Sequence, residues 1–308
     1  MIDVVLAGTG GMMPLPDRWL SVVGVRTNGT GLLFDCGEGT QVALREAGWG
    51  FRDLDAILIS HLHADHVGGL AGLLLTCANS YRQEPITIYG PPGLGAVVAG
   101  QRLIARFLPY EVRVHELWPG ETFAVGPLRG RCALADHGTP CLAYRLDLPR
   151  RPRFLAERAR ELGLPVELWR HLQDGEAVTW SGRRITPDLV QGPPRRGLAL
   201  AYATDTRPVA TVRDLARDVD LFICEATFGS DEERPRAIET KHMTFAEAGA
   251  LAREAGARRL ALTHFSPALR DPTAHREHAA REFPDVVVGH DGLRLRLAFE
   301  DDQDQIDR

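Results

Sequence analysis

The chain has 308 residues, of which 44% are hydrophobic, and a formal net charge of −5 at pH 7. This composition is typical of a globular protein with a sizeable core, and the acidic balance argues against sequence-blind adhesion to nucleic acid, although a local basic patch could still bind a particular RNA. We find no apolar run near the roughly 18 residues of a membrane span and no signal-type N-terminus, so we expect a cytoplasmic protein with no membrane partner. The five scattered cysteines are predicted to be reduced.

The first half of the chain alternates strand-like and helix-like segments. Asn28-Gly29, between two apolar runs, predicts a hairpin turn. The predicted strands lie at 3–7, 21–26, 32–34, 55–59, 86–89, 112–117 and 129–135, and the predicted helices at 40–47, 70–77 and 94–107.

The last third continues this alternation. The predicted strands lie at 198–203, 220–224, 259–263, 286–288 and 293–299, and the predicted helices at 209–217, 244–255 and 273–282. Strands that alternate with helices indicate the α/β class. The acidic end, residues 300–308, is predicted to be a disordered tail.

Between these parts, from about 147 to 197, the pattern breaks into a proline-rich segment with few strand-like runs. Its first part carries five arginines and a single acid, Glu157, with Phe154 among them. We interpret the segment as an arm inserted into one domain that spans residues 1–308. A solvated amphipathic helix and an arm that contacts RNA or clasps a second subunit both fit this composition.

The most informative stretch runs from Ser60 to His66, directly after a predicted buried strand. It holds four residues that bind metals or move protons within six positions: His61, His63, Asp65 and His66. Imidazole and carboxylate groups suit zinc and its neighbours, and alternate positions allow His61 and His63 to face one ion. Because the chain then turns into a helix that we expect to begin near Val67, Asp65 and His66 can face a second ion.

A two-metal site needs further ligands, and each should stand at the end of a strand. His137, Asp205 and His264 each follow a predicted strand. Together with the histidine stretch, they predict a dinuclear centre.

With these motifs the chain resembles the ribonuclease Z family of the metallo-β-lactamase superfamily. The resemblance extends from Leu6-Ala7-Gly8-Thr9-Gly10 through Asp35-Cys36-Gly37-Glu38-Gly39 and the histidine stretch to Leu262-Thr263-His264. It implies a four-layer αβ/βα sandwich with two zinc ions per subunit at one edge, or manganese in their place. It also implies His61, His63 and His137 on the first ion, Asp65, His66 and His264 on the second, and Asp205 as the bridge.

The resemblance implies endonucleolytic removal of 3′ extensions from precursor tRNA. Two metals of this kind activate a water and hold the scissile phosphate, and Asp65 could take the proton from that water. Glu225 and His242 match the family regions in which a glutamate orients a histidine beside the leaving group. The family also suggests a homodimer in which the arm of one subunit holds the tRNA processed by the other.

Two departures bear on the substrate. Pro16 and Trp19 stand where the family's loop for the tRNA end has lysine and asparagine, and the arm has Leu164 to Trp169 in place of a Gly-Pro motif. An alternative function is therefore a metal-dependent hydrolase of small phosphodiesters, or of aryl phosphate or sulfate esters. A third, a non-catalytic nucleic-acid-binding protein with structural metals, is disfavoured because structural zinc sites have closed ligand sets without a spare acid or base.

Overall fold

The structure is a computed structural model that describes residues 1–299; the predicted acidic tail lies outside the described residues. The chain groups into two compact units, one formed by residues 1–147 with the chain from Leu198 onward, and the other by Leu148–Gly197. No helix within residues 1–299 is long and apolar enough to cross a membrane.

In chain order the strands are β1 (Ile2–Gly8), β2 (Val22–Thr27), β3 (Thr30–Phe34), β4 (Leu54–Leu58), β5 (Ile86–Gly90), β6 (Val112–Glu116), β7 (Thr122–Val125), β8 (Leu128–Leu134), β9 (Leu142–Arg150), β10 (Val178–Trp180), β11 (Arg183–Ile185), β12 (Arg195–Ala203), β13 (Leu221–Glu225), β14 (Leu260–Thr263), β15 (Val286–Val288) and β16 (Leu293–Leu297). The α-helices are α1 (Thr40–Glu46), α2 (Ala64–Val67), α3 (Leu70–Asn79), α4 (Leu94–Arg102), α5 (Ala156–Glu161), α6 (Val166–Gln173), α7 (Ala210–Leu215), α8 (Arg234–Thr240), α9 (Phe245–Ala255) and α10 (Arg276–Ala280).

The first sheet has the strand order β16-β1-β2-β3-β4-β5-β6. Its hairpin between β2 and β3 turns at Asn28 and Gly29, which both have positive φ, at 48° and 78°. This left-handed pair suits the twist of antiparallel strands, and it confirms the predicted turn. From β3 to β6 the strands are parallel, so α1 to α4 serve as crossovers.

The second sheet has the order β15-β14-β13-β12-β9-β8-β7, with α7 to α10 in its connections. Two of its strands, β7 and β9, were not predicted, although Leu142 to Leu148 alternates in the strand manner. The predicted helix 94–107 was too long, because the helix ends at Arg102. The apolar residues that extended the prediction, Leu103, Ile104 and Phe107, are exposed instead of packed.

Aromatic side chains fill the space between the two sheets. Phe34 of β3 stacks on Tyr202 of β12 with ring centroids 4.7 Å apart, and the Tyr144 ring of β9 lies 6.0 Å from Phe34. Separate apolar clusters lie between each sheet and its helices, such as that of Val212, Leu251 and Leu262. Layers of helix, sheet, sheet and helix make the αβ/βα sandwich that was predicted.

The register of the second sheet decides where its polar side chains meet. Strands β12, β13 and β14 are parallel, and Ala203, Cys224 and Leu262 lie side by side. The residues that follow these strands therefore emerge at one edge of the sheet.

The unit Leu148–Gly197 has a small core of its own. We predicted this unit to be an arm inserted into a single domain, and that interpretation stays a prediction. Trp169 packs against Phe154 with centroids 5.3 Å apart, and its indole N–H donates to the Leu164 carbonyl at 3.1 Å. The core consists of the buried residues Ala159, Leu164, Leu172, Ile185 and Val190.

Candidate metal centre and active site

The histidine stretch folds into a loop and a short helix after β4. His63 is the residue before α2 and has an extended backbone, with φ −67° and ψ 152°. Helix α2 begins at Ala64, three residues earlier than predicted, and carries Asp65 and His66 in its single turn. The loop and the helix therefore direct their side chains to neighbouring positions.

One set of ligand atoms comes from His61, His63, His137 and Asp205. His63 Nδ1 lies 2.9 Å from His61 Nε2 and 3.3 Å from His137 Nε2. Asp205 Oδ2 lies 3.7 and 3.8 Å from the same two Nε2 atoms. Ligands at 2.0–2.1 Å around a tetrahedral zinc are about 3.3 Å from one another, so this spacing fits a single ion.

A second set comes from Asp65, His66 and His264, and Asp205 again lies beside it. Asp205 Oδ1 is 3.3 Å from His66 Nε2 and 3.1 Å from His264 Nε2, and Asp65 Oδ2 is 3.4 and 3.7 Å from the same atoms. Neither Nε2 atom makes a hydrogen bond of good geometry in the described chain, although both are buried. Buried polar atoms are rarely left unpaired, and an ion at their centre would satisfy them.

The electrostatics of the cluster favour metal ligands. Burial, reinforced by the neighbouring His66, lowers the pKa of His61 to about 2, which leaves the imidazole neutral. Burial raises the pKa of Asp205, but His264, His66 and His61 more than offset it, so the pKa falls well below its usual range. Burial opposes a charge on His66, yet Asp205 and Asp35 raise its pKa well above normal. A metal cation would replace the proton that these carboxylates attract to His66.

Asp35, which directly follows β3, orients His66 of the second set. Its buried carboxylate accepts from His66 Nδ1 at 2.8 Å, from Ser60 N at 2.7 Å and from the Tyr202 hydroxyl at 2.7 Å. A carboxylate on one imidazole nitrogen directs the other toward a metal. Asp35 and the ligands Asp205 and His264 have positive φ, at 58°, 49° and 58°, so strained backbone is concentrated here.

Glu225 and His242 form a buried pair beside the cluster. His242 Nδ1 lies 3.1 Å from Glu225 Oε1, and His242 Nε2 lies 3.9 Å from Asp205 Oδ2. The amides of Thr206 and Met243 donate to the same carboxylate at 2.6 and 3.1 Å. Burial lowers the pKa of His242, but the Glu225 carboxylate outweighs this and raises it to about 9. The imidazole is therefore held in a charged form that can donate a proton.

The chain between Gly8 and Leu20 covers the second set of ligands. The amide of Met12 donates to Asp65 Oδ2 at 2.7 Å. A Cβ atom on Gly11 would lie 2.4 Å from the His264 ring, so only glycine permits this approach. This segment thus adds a hydrogen-bond donor to the site.

The comparisons with known proteins agree with this geometry. A family described as beta-lactamase superfamily domain matches residues 30–265. Proteins named ribonuclease Z from Lachnospira eligens and Clostridium kluyveri are 45% and 46% identical to this chain over 98% of its length and the whole of their own. The chain belongs to the ribonuclease Z family.

Among solved structures, the short form of human tRNase Z is similar, with a TM-score of 0.69 and 25% identity over 96% of this chain and all of the other. Family and fold make the chain a metal-dependent hydrolase of the endoribonuclease type, with a divalent-metal site at the His/Asp cluster. The structure brings together all nine residues that the sequence singled out: His61, His63, Asp65, His66, His137, Asp205, Glu225, His242 and His264.

Sequence reasoning missed the residues that hold these side chains. Asp35 stands at the end of a predicted strand, as the predicted ligands do, so the same criterion would have found it. Asp291 carries no local signal, because the residues it contacts, Thr9 and Trp19, lie more than 270 positions away. Glu247 has a local signal, a capping box with Thr244 three positions earlier, but its ion pairs with Arg207 and Arg234 do not show in the sequence. Only folding shows what they contact.

Proposed function

We propose that this chain removes 3′ extensions from precursor tRNA in the cytoplasm, as an endonuclease with two zinc ions per subunit or manganese in their place. The observation that carries the proposal is the Glu225–His242 pair. The Nε2 atom of His242 lies 3.9 Å from Asp205 Oδ2. A structural metal site has no need of such a pair, whereas a leaving oxygen needs a proton.

The buried imidazole nitrogens and carboxylate oxygens of the cluster are ligands that suit divalent ions. Two such ions would lower the pKa of a water and neutralise charge on the scissile phosphate. We assign His61, His63 and His137 to one ion, Asp65, His66 and His264 to the other, and Asp205 to both. The unpaired buried nitrogens of His66 and His264 support this assignment.

We assign Asp65 as the group that accepts the proton of the attacking water. Burial raises the pKa of its carboxyl, but contacts with His264 and His66 outweigh this and lower it, so the group is ionised. The Met12 amide at 2.7 Å holds one carboxylate oxygen in place. An oriented, ionised carboxylate can take a proton without first moving.

We assign His242 as the acid that protonates the leaving 3′ oxygen. Water attacks the phosphorus, the bond from phosphorus to the 3′ oxygen breaks, and the His242 proton completes the new 3′-hydroxyl. Glu225 holds the Nδ1 side of the ring at 3.1 Å, so the Nε2 side faces the cluster. The carboxylate also stabilises the charged imidazole before the transfer.

A precursor tRNA with a 3′ extension tests the proposal when its product ends are mapped. We expect zinc- or manganese-loaded protein to leave a 3′-hydroxyl, and His242→Ala and Glu225→Gln to lower kcat by roughly 10²–10⁴-fold. The matched control is His115→Ala, since His115 lies exposed on β6. A loaded wild-type protein that is inert on this RNA would contradict the proposal.

One observation favours the alternative, a hydrolase of small phosphodiesters or aryl esters. The Arg18 guanidinium, in the loop where the family reads the tRNA end, donates to the carbonyls of Ser266, Leu269 and Arg270 at 3.4, 3.0 and 3.1 Å. The Arg18 guanidinium therefore uses its hydrogen-bond donors within the protein. Turnover of bis-p-nitrophenyl phosphate and a natural small ester at comparable rates, without RNA binding, would support this function.

We propose that the unit Leu148–Gly197 contacts RNA. Arg153 and Arg158 are exposed on its surface. Each phosphate contact made by an arginine contributes to the salt dependence of binding. The double variant Arg153→Ala, Arg158→Ala should bind tRNA more weakly and with a smaller salt slope, while bis-p-nitrophenyl phosphate turnover stays unchanged. The exposed Arg52, which precedes β4, supplies the control Arg52→Ala.

We also propose a homodimer. Leu103, Ile104 and Phe107 are 72%, 73% and 85% exposed within five positions, and large apolar side chains clustered on a surface are typical of subunit contacts. Light scattering of wild type should give twice the chain mass, and Phe107→Asn should shift it toward one chain. Tyr81 is equally exposed at 90% but has no apolar neighbours in sequence, so Tyr81→Asn should leave the mass unchanged. A wild type of single-chain mass would contradict the proposal.

A further inference from the structure

Thr227, two residues after the end of β13, lies between the acid pair and the metal cluster. Its hydroxyl oxygen is 2.7 Å from Glu225 Oε2, 3.2 Å from His242 Nδ1 and 3.2 Å from His264 Nδ1. The side chain is almost fully buried. A single hydroxyl therefore contacts members of both groups at once.

The hydroxyl has one proton, and its best acceptor is the carboxylate. Glu225 Oε2 is charged and nearer than the other acceptor, the His264 carbonyl at 3.1 Å. Because the Thr227 hydroxyl donates its proton in a hydrogen bond to Glu225, the Thr227 oxygen can only accept a hydrogen bond from a histidine. His242 Nδ1 has a charged acceptor of its own in Glu225 Oε1 at 3.1 Å, so the Thr227 oxygen serves His264.

This arrangement decides which nitrogen of His264 carries hydrogen. Within residues 1–299 the hydrogen-bond partner of His264 Nδ1 is the Thr227 oxygen, which requires an N–H at Nδ1. The Nε2 atom then keeps its lone pair, 3.1 Å from Asp205 Oδ1 and 3.7 Å from Asp65 Oδ2. A metal binds the unprotonated nitrogen of a neutral imidazole, and the hydrogen bond of the other nitrogen orients it.

We propose that Thr227 is a positioning residue, which selects the Nδ1–H form of His264 and links that ligand through Glu225 to His242. One carboxylate then orients both the proton donor and, through Thr227, a metal ligand. The proposal rests on the proposed two-metal function and deepens it.

Zinc affinity of the full chain, measured by competition with a chromophoric chelator, tests this role. Thr227→Val keeps the side-chain shape but removes the hydroxyl, and it should weaken zinc binding by roughly 10–100-fold. Thr227→Ser restores a hydroxyl and should restore affinity. The matched control is Thr263→Val, because the Thr263 hydroxyl is buried beside His264 yet has no hydrogen-bond partner in the described chain.

Wild-type affinity in folded Thr227→Val, or no recovery in Thr227→Ser, would overturn the proposal. Should the valine variant not fold, long-range ¹H–¹⁵N NMR of the zinc-loaded wild type reports the same property directly. An Nδ1–H signal for His264 supports the proposal, and a His264 Nδ1 without hydrogen overturns it. Neither measurement uses RNA, so a wild type that fails to cleave precursor tRNA would refute the proposed substrate and leave this inference standing.

Discussion

The carboxylate of Asp291 accepts hydrogen bonds from both the amide and the hydroxyl of Thr9, at 2.9 and 2.7 Å, although 282 positions separate the two residues. Its second oxygen accepts from the Trp19 amide at 2.6 Å. The Asp291 side chain therefore holds both ends of the segment from Thr9 to Trp19, which carries Gly11 and Met12. That segment is the one whose amide contacts Asp65.

Replacement of Asp291 should destabilise the fold. Asp291→Ala leaves three partly buried donors without an acceptor, and we expect the free energy of unfolding to fall by about 2–4 kcal/mol. Urea denaturation followed by circular dichroism measures this change. Asp285→Ala is the control, since Asp285 is exposed in the same region of the chain. Equal stabilities of the two variants would contradict the assigned role.

Gly11→Ala should damage the site without a large change in the rest of the fold. The added methyl group would lie 2.4 Å from His264 Cε1, so the ring or the loop must shift. A displacement of about 1 Å at a reacting centre costs roughly 10²-fold in rate, and we expect a loss of that order in kcat. Gly138→Ala is the control, because nothing lies within 4 Å of its added carbon. Similar kcat values for both variants would show that the close approach has no function.

Metal removal should lower thermal stability. The ligand atoms come from the segments that follow β4, β8, β12 and β14, including α2. An ion that binds only the folded chain stabilises it by about 2.7 kcal/mol at 100 times its Kd. Treatment with a chelator should lower Tm in differential scanning fluorimetry, and zinc or manganese should restore it. In Asp205→Asn the difference in Tm between chelator-treated and metal-loaded protein should largely vanish, because both sets of ligands share Asp205. An unchanged wild-type Tm would argue against bound metal.

Glu247 should stabilise the loop that carries His242. Its buried carboxylate pairs with Arg207 at 3.0 Å and with Arg234 at 3.0 Å, and it accepts from the Thr244 amide at 3.1 Å. Arg207 in turn donates to the His242 carbonyl. Glu247→Gln removes the charge from this pair, and we expect a loss of about 2–4 kcal/mol in the free energy of unfolding.

The same helix supplies the comparison for Glu247. Glu254 is exposed on α9, and Glu254→Gln should change the free energy of unfolding by less than about 0.5 kcal/mol. Chemical denaturation of both variants gives the difference. A Glu247 variant as stable as wild type would show that the ion pairs of Glu247 contribute nothing net.

The sequence by itself determined what depends on local patterns. Alternating apolar runs predicted most strands, Asn28-Gly29 predicted the hairpin, and the spacing of His61 and His63 predicted a metal site. These features are decided by residues close together in the chain, through backbone conformation and through the direction of side chains along a strand or loop. Strand-end positions also led to His137, Asp205 and His264, because a strand is a rigid scaffold that presents the loop after it.

Only the tertiary structure decided which groups share a partner. The hydroxyl of Thr227 touches both His242 and His264, and the carboxylate of Asp291 joins segments 282 positions apart. Such contacts depend on the order of strands in the two sheets, and no local pattern records it. The same holds for Leu103 to Phe107, where apolar periodicity predicted helix but packing left the side chains exposed.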